Sequence, residues 1–164
     1  MGSIIDVDTG EVRVISGELS LRAMAIGSCI VVIAFSYEKL VAAMAHILLP
    51  GKAPSYYKGS KIIYAHDAIE EMFNKTAARG AMADDLVVCL VGGANVLLQK
   101  DDDIAKENII SVEQILKKRR IEVRKRALGG VLRRSVFLDL AKGRLEYTEG
   151  GSETHMLWDS GMSY

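Results

Sequence analysis

Residues 29–35 read Cys29-Ile30-Val31-Val32-Ile33-Ala34-Phe35, an apolar, β-branched run with no polar face. Branched side chains favour a strand over a helix. The run is also far shorter than the ~20 residues a bilayer-spanning helix needs. A strand that is apolar on both sides must be covered on both sides, so this stretch predicts the middle strand of a layered structure. Gly27-Ser28 breaks the chain before it, and Ser36-Tyr37-Glu38-Lys39 follows as a turn.

Outward from that strand, Leu19 to Ile26 reads as a strand, and Glu11 to Ile15 alternates as a half-exposed one. Leu40 to Leu49 continues the sheet and stops at Pro50. After a polar loop over 51–61, Ala65, Ala68, Ile69, Met72, Phe73 and Thr76 recur at helical spacing, with Gly80 as the stop. Leu86 to Val91 is a buried strand ending in Gly92-Gly93-Ala94. A second helix is predicted from about Asn108 to Arg120, with Ile109, Val112 and Leu116 on one face. Segments 121–127, 134–140 and 144–148 close the structure as strands. Eight strands and two main helices define an α+β layered fold. Residues 1–148 read as a single domain, and the Gly- and Ser-rich residues 149–164 as a tail.

Whole-chain properties narrow the function. A chain of 164 residues can bury a sizeable core as one domain. A formal net charge of zero provides no field to recruit nucleic acid or a membrane surface. Two cysteines without paired spacing are no disulfide framework, and the N-terminal stretch is acidic where a signal peptide is basic. These features predict a cytoplasmic protein with no membrane insertion. Nothing at familiar ligand spacing predicts a metal, and no phosphate-binding glycine motif predicts a cofactor.

The turn after Phe35 raises a chemical question. A hairpin centred on residues 36–39 pairs Phe35 with Leu40, Val32 with Ala43, and Cys29 with His46. Directly opposed residues have Cβ atoms about 4.5–5.5 Å apart. An imidazolium that close lowers a thiol's pKa, and the same ring can return the proton to a leaving amine. Gly27 and Ser28, just before the cysteine, suit a tight turn whose backbone N–H groups face a developing oxyanion. Together these parts describe acyl transfer through a thioester. A lone cysteine or histidine in an apolar strand is more often simply core, so this reading stands beside a structural one.

Ala25-Ile26-Gly27-Ser28-Cys29, Met44-Ala45-His46-Ile47-Leu48-Leu49-Pro50 and Val91-Gly92-Gly93-Ala94 together resemble the CheD family of chemoreceptor glutamine deamidases. Fainter similarities follow at Asn108, at Gly129-Gly130 with Arg134, and at Gly143. The resemblance implies a β-sandwich-like pair of mixed sheets flanked by two main helices, related to cysteine-dependent toxin deamidases. It implies conversion of receptor glutamines to glutamate with no cofactor, Cys29 as nucleophile and His46 as base. It also implies chemotaxis receptor cytoplasmic domains, and CheC-type phosphatases, as partners. Two positions depart from the family pattern. Ala23 stands where a threonine would orient the histidine; its methyl accepts no hydrogen bond, and a main-chain carbonyl is one group that can hold the ring instead. Ala25 stands where glycine is usual. Ala23 motivates an alternative, a catalytically weak or inactive module that regulates by binding receptor or phosphatase.

Gly92 and Gly93 are expected to pack close to the site. Cys89 is expected to be core. Lys117, Lys118, Arg119, Arg120, Arg124, Lys125 and Arg126 crowd a short segment opposed only by Glu122. Such a run is either a solvated face or a docking patch for an acidic partner.

Overall fold

The computed structural model describes residues 2–100 and 103–162. Its strands are β1 (Ile4–Asp6), β2 (Val12–Ser16), β3 (Ser20–Ile26), β4 (Ile30–Ser36) and β5 (Val41–Ile47), followed by helix α1 (Ala65–Ala78). Strand β6 (Val87–Gly92), helix α2 (Ile104–Lys118) and strands β7 (Lys125–Leu128), β8 (Arg134–Asp139), β9 (Arg144–Glu149) and β10 (His155–Asp159) complete it. One five-stranded sheet runs β1-β3-β8-β9-β10 and the other β2-β5-β4-β6-β7. Each is mixed, because β1 pairs parallel with β3, and β7 pairs parallel with β6 through the α2 crossover. This is the α+β pair of mixed sheets with two main helices that the sequence predicts.

The central strand β4 is buried at every position. Val31, Ile33 and Phe35 face the other sheet, where they meet Leu21, Ala23, Val136, Leu138 and Leu145. Ile30, Val32 and Ala34 face the helices and meet Ala68, Ile69 and Met72 of α1 and Val112 and Leu116 of α2. Period-2 alternation thus feeds two cores from one strand, which is why its sequence shows no polar face. Among the described residues no helix is long and apolar enough to cross a membrane.

Four local features differ from the sequence reading. First, the β4–β5 hairpin closes through Tyr37–Leu40, so Ser36 pairs with Val41 and Phe35 with Ala42. Leu40 sits at φ 50°, and the Ser36 hydroxyl accepts the Lys39 N–H at 3.2 Å. A left-handed residue closes the turn and cannot also extend the ladder, so the expected Phe35–Leu40 pairing is lost. Second, β1 is a further strand, too short to show a period. Third, α2 begins at Ile104, because its buried stripe is Ala105, Asn108, Val112 and Leu116. A polar residue in that stripe masked its first turn. Fourth, the segment after Glu149 contributes β10, whose Leu157 and Trp158 are buried in the inter-sheet core. Glycines around it hid a five-residue strand.

Strand β3 carries a bulge. Ala23 pairs with Val136 and Ile26 with Arg134, so β3 holds one residue more than β8 across that interval. Ala25 lies at φ 54°, the left-handed region where a Cβ costs about 1–2 kcal/mol. This gives a physical reason for glycine at that position. Ala25→Gly is expected to raise stability by about 0.5–1 kcal/mol after the entropy of a more flexible unfolded chain is subtracted. A urea midpoint that stays put or falls would contradict that account.

Candidate functional site

Cys29 lies in the bend between the β3 bulge and β4, on the inter-sheet face with Val31 and Ile33. His46, near the end of β5, pairs directly with Val31 rather than with Cys29. Because the hairpin register moves by two residues and not one, the faces are preserved and the pair becomes diagonal. Diagonal neighbours lie roughly 7–8 Å apart, with their Cβ atoms somewhat closer. No hydrogen bond joins the thiol to the ring, and the buried His46 Nε2 has no partner among the described residues.

The imidazole is fixed from its other side. Nδ1 lies 3.1 Å from the Val7 carbonyl, which can only accept, so the proton sits on Nδ1 and the Nε2 lone pair is available. Val7 follows β1, whose pairing to β3 is reinforced by the Asp6–Arg22 ion pair at 2.7 Å. A main-chain oxygen is thus the acceptor that holds the ring. Ala23 itself is buried in the inter-sheet core. Burial lowers the His46 pKa, opposed by the Val7 carbonyl and by the charges of Asp8 and Glu11. Burial raises the Cys29 pKa, offset in part by its own backbone N–H. Both shifts favour the neutral form of their group and disfavour a preformed ion pair.

The bend is built from its carbonyls. Gly27 O accepts Ala94 N–H at 2.9 Å, Cys29 O accepts Gly93 N–H at 2.8 Å, and Ser28 O accepts Asn108 Nδ2 at 2.9 Å. With the carbonyls held, the N–H groups of Gly27 and Ser28 have no protein acceptor among the described residues, and that of Cys29 lies against its own sulfur. That is a set of donors beside the sulfur, suited to a developing negative charge. Asn108 also donates to Leu48 O at 3.1 Å, so α2 clamps the cysteine bend to the end of the histidine strand. Sequence reasoning named Asn108 only as a point of resemblance. A polar residue within a helix's apolar stripe was the available signal. Val7 acts through its backbone and left none.

Gly92 and Gly93 pack against this bend. At Gly92, φ is 127° and a Cβ would stand 2.2 Å from the Cys29 carbonyl oxygen. At Gly93 it would meet Ile109 at 2.6 Å. Gly92→Ala is expected to cost about 2–4 kcal/mol, because backbone cannot move aside without carrying Cys29 with it. Chemical denaturation checks this, and an unchanged midpoint would refute it.

Two separate clefts open on either side of the β3 bulge. Cys29 opens to a cleft of about 360 Å³ bordered by Ala25, Gly27, Ser28, Asn95, Leu97 and Arg133, with the first turn of α2 alongside. His46 opens to another of about 460 Å³ bordered by Asp6, Val7, Asp8, Arg22 and Met24. Met24 and Ala25 are consecutive, so the β3 bulge forms the wall between them. Cys89 is buried elsewhere in the core, its thiol pushed up to about 12 by desolvation.

The basic segment does not act as one patch. Lys117, Arg120 and Arg126 border a groove of about 520 Å³ with Glu113 and Glu122, and Arg126 pairs with Glu113 at 3.0 Å. Arg119 lies over Phe73 and Arg124 over Trp158. Lys118 is exposed, and Lys125 is partly buried in β7. This groove is at the far end of α2 from the cysteine cleft, ~20 Å along a helix of that length. Among the described residues no three His, Cys, Asp or Glu side chains converge as a metal site.

Two stacked mixed sheets with helices on one outer face, and a cysteine bend on the same sheet face as a tethered histidine, define an α+β protein with a candidate thiol–imidazole site. Residues 48–149 match the model of the family CheD, described as CheD chemotactic sensory transduction. A protein of Chlorobium luteolum named probable chemoreceptor glutamine deamidase CheD is 33% identical over 92% of this chain and 75% of its own length. A Methanosarcina acetivorans protein named probable chemoreceptor glutamine deamidase CheD 2 is 35% identical over 84% of this chain and 61% of its own. One from Methanococcus maripaludis, also named probable chemoreceptor glutamine deamidase CheD, is 30% identical over 85% of this chain and 91% of its own. The chain belongs to the CheD family.

Proposed function

We propose that this chain is a cysteine-dependent deamidase that converts glutamine side chains of chemotaxis receptor cytoplasmic domains to glutamate. One observation carries the reading. A buried imidazole is tethered at Nδ1, with Nε2 unpaired, on the same sheet face as a cysteine whose flanking N–H groups are also unpaired.

The Cys29 thiol gives its proton to His46 Nε2 as Sγ bonds to the amide carbon, and the oxyanion is held by N–H groups of Gly27, Ser28 and Cys29. The imidazolium returns the proton to nitrogen, the C–N bond breaks, and ammonia leaves a thioester. Water then gives a proton to Nε2 and adds to the thioester carbon. The C–S bond breaks, sulfur regains a proton, and glutamate is released. Since thiol and ring make no hydrogen bond at rest, the first transfer needs the thiol to swing toward the ring as substrate enters.

Receptor cytoplasmic domains are the partners this function requires. A CheC-type phosphatase is a second proposed partner, and the groove around Lys117 and Arg120 a proposed second contact. The neutral resting thiol favours the alternative of a binding module without turnover. Mass spectrometry of a purified receptor cytoplasmic domain incubated with the protein separates the two. A gain of about one dalton per converted glutamine, with equal release of ammonia, supports the deamidase; binding with no mass change overturns it.

A further inference from the structure

Leu97 at the cysteine cleft, and the neighbouring loops that carry Leu98, Val131 and Leu132, expose what folded proteins usually bury. Leu97 is 73% exposed and Leu98 67%, while Val131 and Leu132 are about half exposed. Leu98 is also at φ 54°. A leucine that is both solvent-facing and left-handed gains nothing for the fold from either property. The two loops that carry these residues are joined by a hydrogen bond from Asn95 N–H to the Gly130 carbonyl at 2.9 Å. Asn95 also braces its own loop, donating Nδ2 to Gln99 O at 3.1 Å and accepting Gln99 N–H at 3.2 Å. The apolar rim is therefore a held surface.

Arg133 stands at its edge. It is the one charged residue bordering the cysteine cleft among the described residues. It is exposed, and no carboxylate or carbonyl engages its guanidinium among those residues. Its backbone is fixed, because its carbonyl accepts Gly150 N–H at 2.8 Å and β8 begins at the next residue. The neighbouring Arg134, by contrast, is buried, with Nη1 on the Gly92 and Gly129 carbonyls and Glu149 nearby. One of two adjacent arginines supports the bend, and the other is left over.

We propose that Arg133 and the Leu97–Leu98–Leu132 rim select the substrate segment, pairing with a carboxylate that flanks the target glutamine while apolar side chains of that segment cover the leucines. Among the described residues Arg133 is a cation with no partner at a cleft that carries no other charge, and it is complementary to an acidic neighbour. An apolar surround strengthens that pairing by excluding water. This rests on the deamidase reading and names its substrate class: glutamine in a segment that is both acidic and apolar.

The test is deamidation of glutamine peptides bearing glutamate, alanine or lysine at each flanking position, by the full chain and by Arg133→Ala and Arg133→Glu. For the wild type, kcat/KM is expected to favour the best glutamate peptide over its alanine counterpart by about tenfold, mainly through KM, with the preference shrinking in salt. In Arg133→Ala the preference should vanish, and in Arg133→Glu it should turn toward lysine. A preference unchanged in both variants overturns the inference and leaves the deamidase reading standing. Absence of turnover by the wild type on every peptide and on receptor domains overturns both. Because Arg133 is exposed and supports nothing through its side chain, both variants should melt as the wild type does. Leu97→Ser is expected to raise KM for every peptide alike, whereas a KM equal to the wild type's contradicts the rim's part.

Discussion

Cys29→Ala is expected to release no measurable ammonia from a receptor cytoplasmic domain, a fall of about ten-thousandfold or more. In the proposed mechanism Cys29 Sγ forms the covalent bond, so its removal leaves only binding and the backbone donors, and these alone give a small residual rate. The substitution removes one buried sulfur from the rim of the core, so the fold should survive it at a modest cost in stability. Cys89→Ala is the control. Its thiol is fully buried, pushed up to about 12, and remote from either cleft, so activity per folded molecule should stay near wild type. Ammonia release by the Cys29→Ala protein near the wild-type rate would mean that another nucleophile, or water alone, does the chemistry.

His46→Ala should be nearly as damaging, with a loss of about a thousandfold, because both proton transfers use the same ring. The pH profile adds a check. Burial depresses the His46 pKa, so neutral imidazole persists below the ordinary histidine range. The acid limb of kcat/KM should therefore fall at a pH lower than an exposed histidine would give. Burial raises the Cys29 pKa, so the pair holds its one mobile proton until above the ordinary thiol range, and the alkaline limb should be displaced upward. A broad plateau through neutrality is the expected shape. A profile that climbs steadily from neutral to alkaline pH, unchanged in His46→Ala, would indicate a thiolate working without a base. The neutral resting thiol also predicts slow alkylation of Cys29 by iodoacetamide at acid pH, contrary to a preformed ion pair.

The layering was legible because one strand, Ile30–Ser36, has no polar face, and such a strand can sit only between two covers. The helix of Ala65 to Ala78 was legible from its period. The meeting of Cys29 and His46 on one face followed from the hairpin, but not their register. That depends on Leu40 adopting a left-handed turn, for which an apolar side chain gives no sign. β1 was hidden by its three-residue length, and β10 by flanking glycines. The tether of His46 was invisible in a different way. Its acceptor is the Val7 carbonyl, and every residue has one. The need for such an acceptor was readable from Ala23; its location was not. Asn108 was half legible, since the N–H groups of a buried amide in an apolar stripe need acceptors, here the carbonyls of Ser28 and Leu48.

Whether Cys29 and His46 act as one unit is the question on which the functional account turns. The comparison that addresses it is the deamidation rate of the Cys29→Ala, His46→Ala double variant beside each single variant, on one receptor domain. Residues that share a single proton and a single intermediate lose their function together, so the double variant should retain the same residual rate as Cys29→Ala alone. A double variant slower than the wild type by the product of the two separate losses would mean that the two side chains work independently, and the thiol–imidazole mechanism would be wrong.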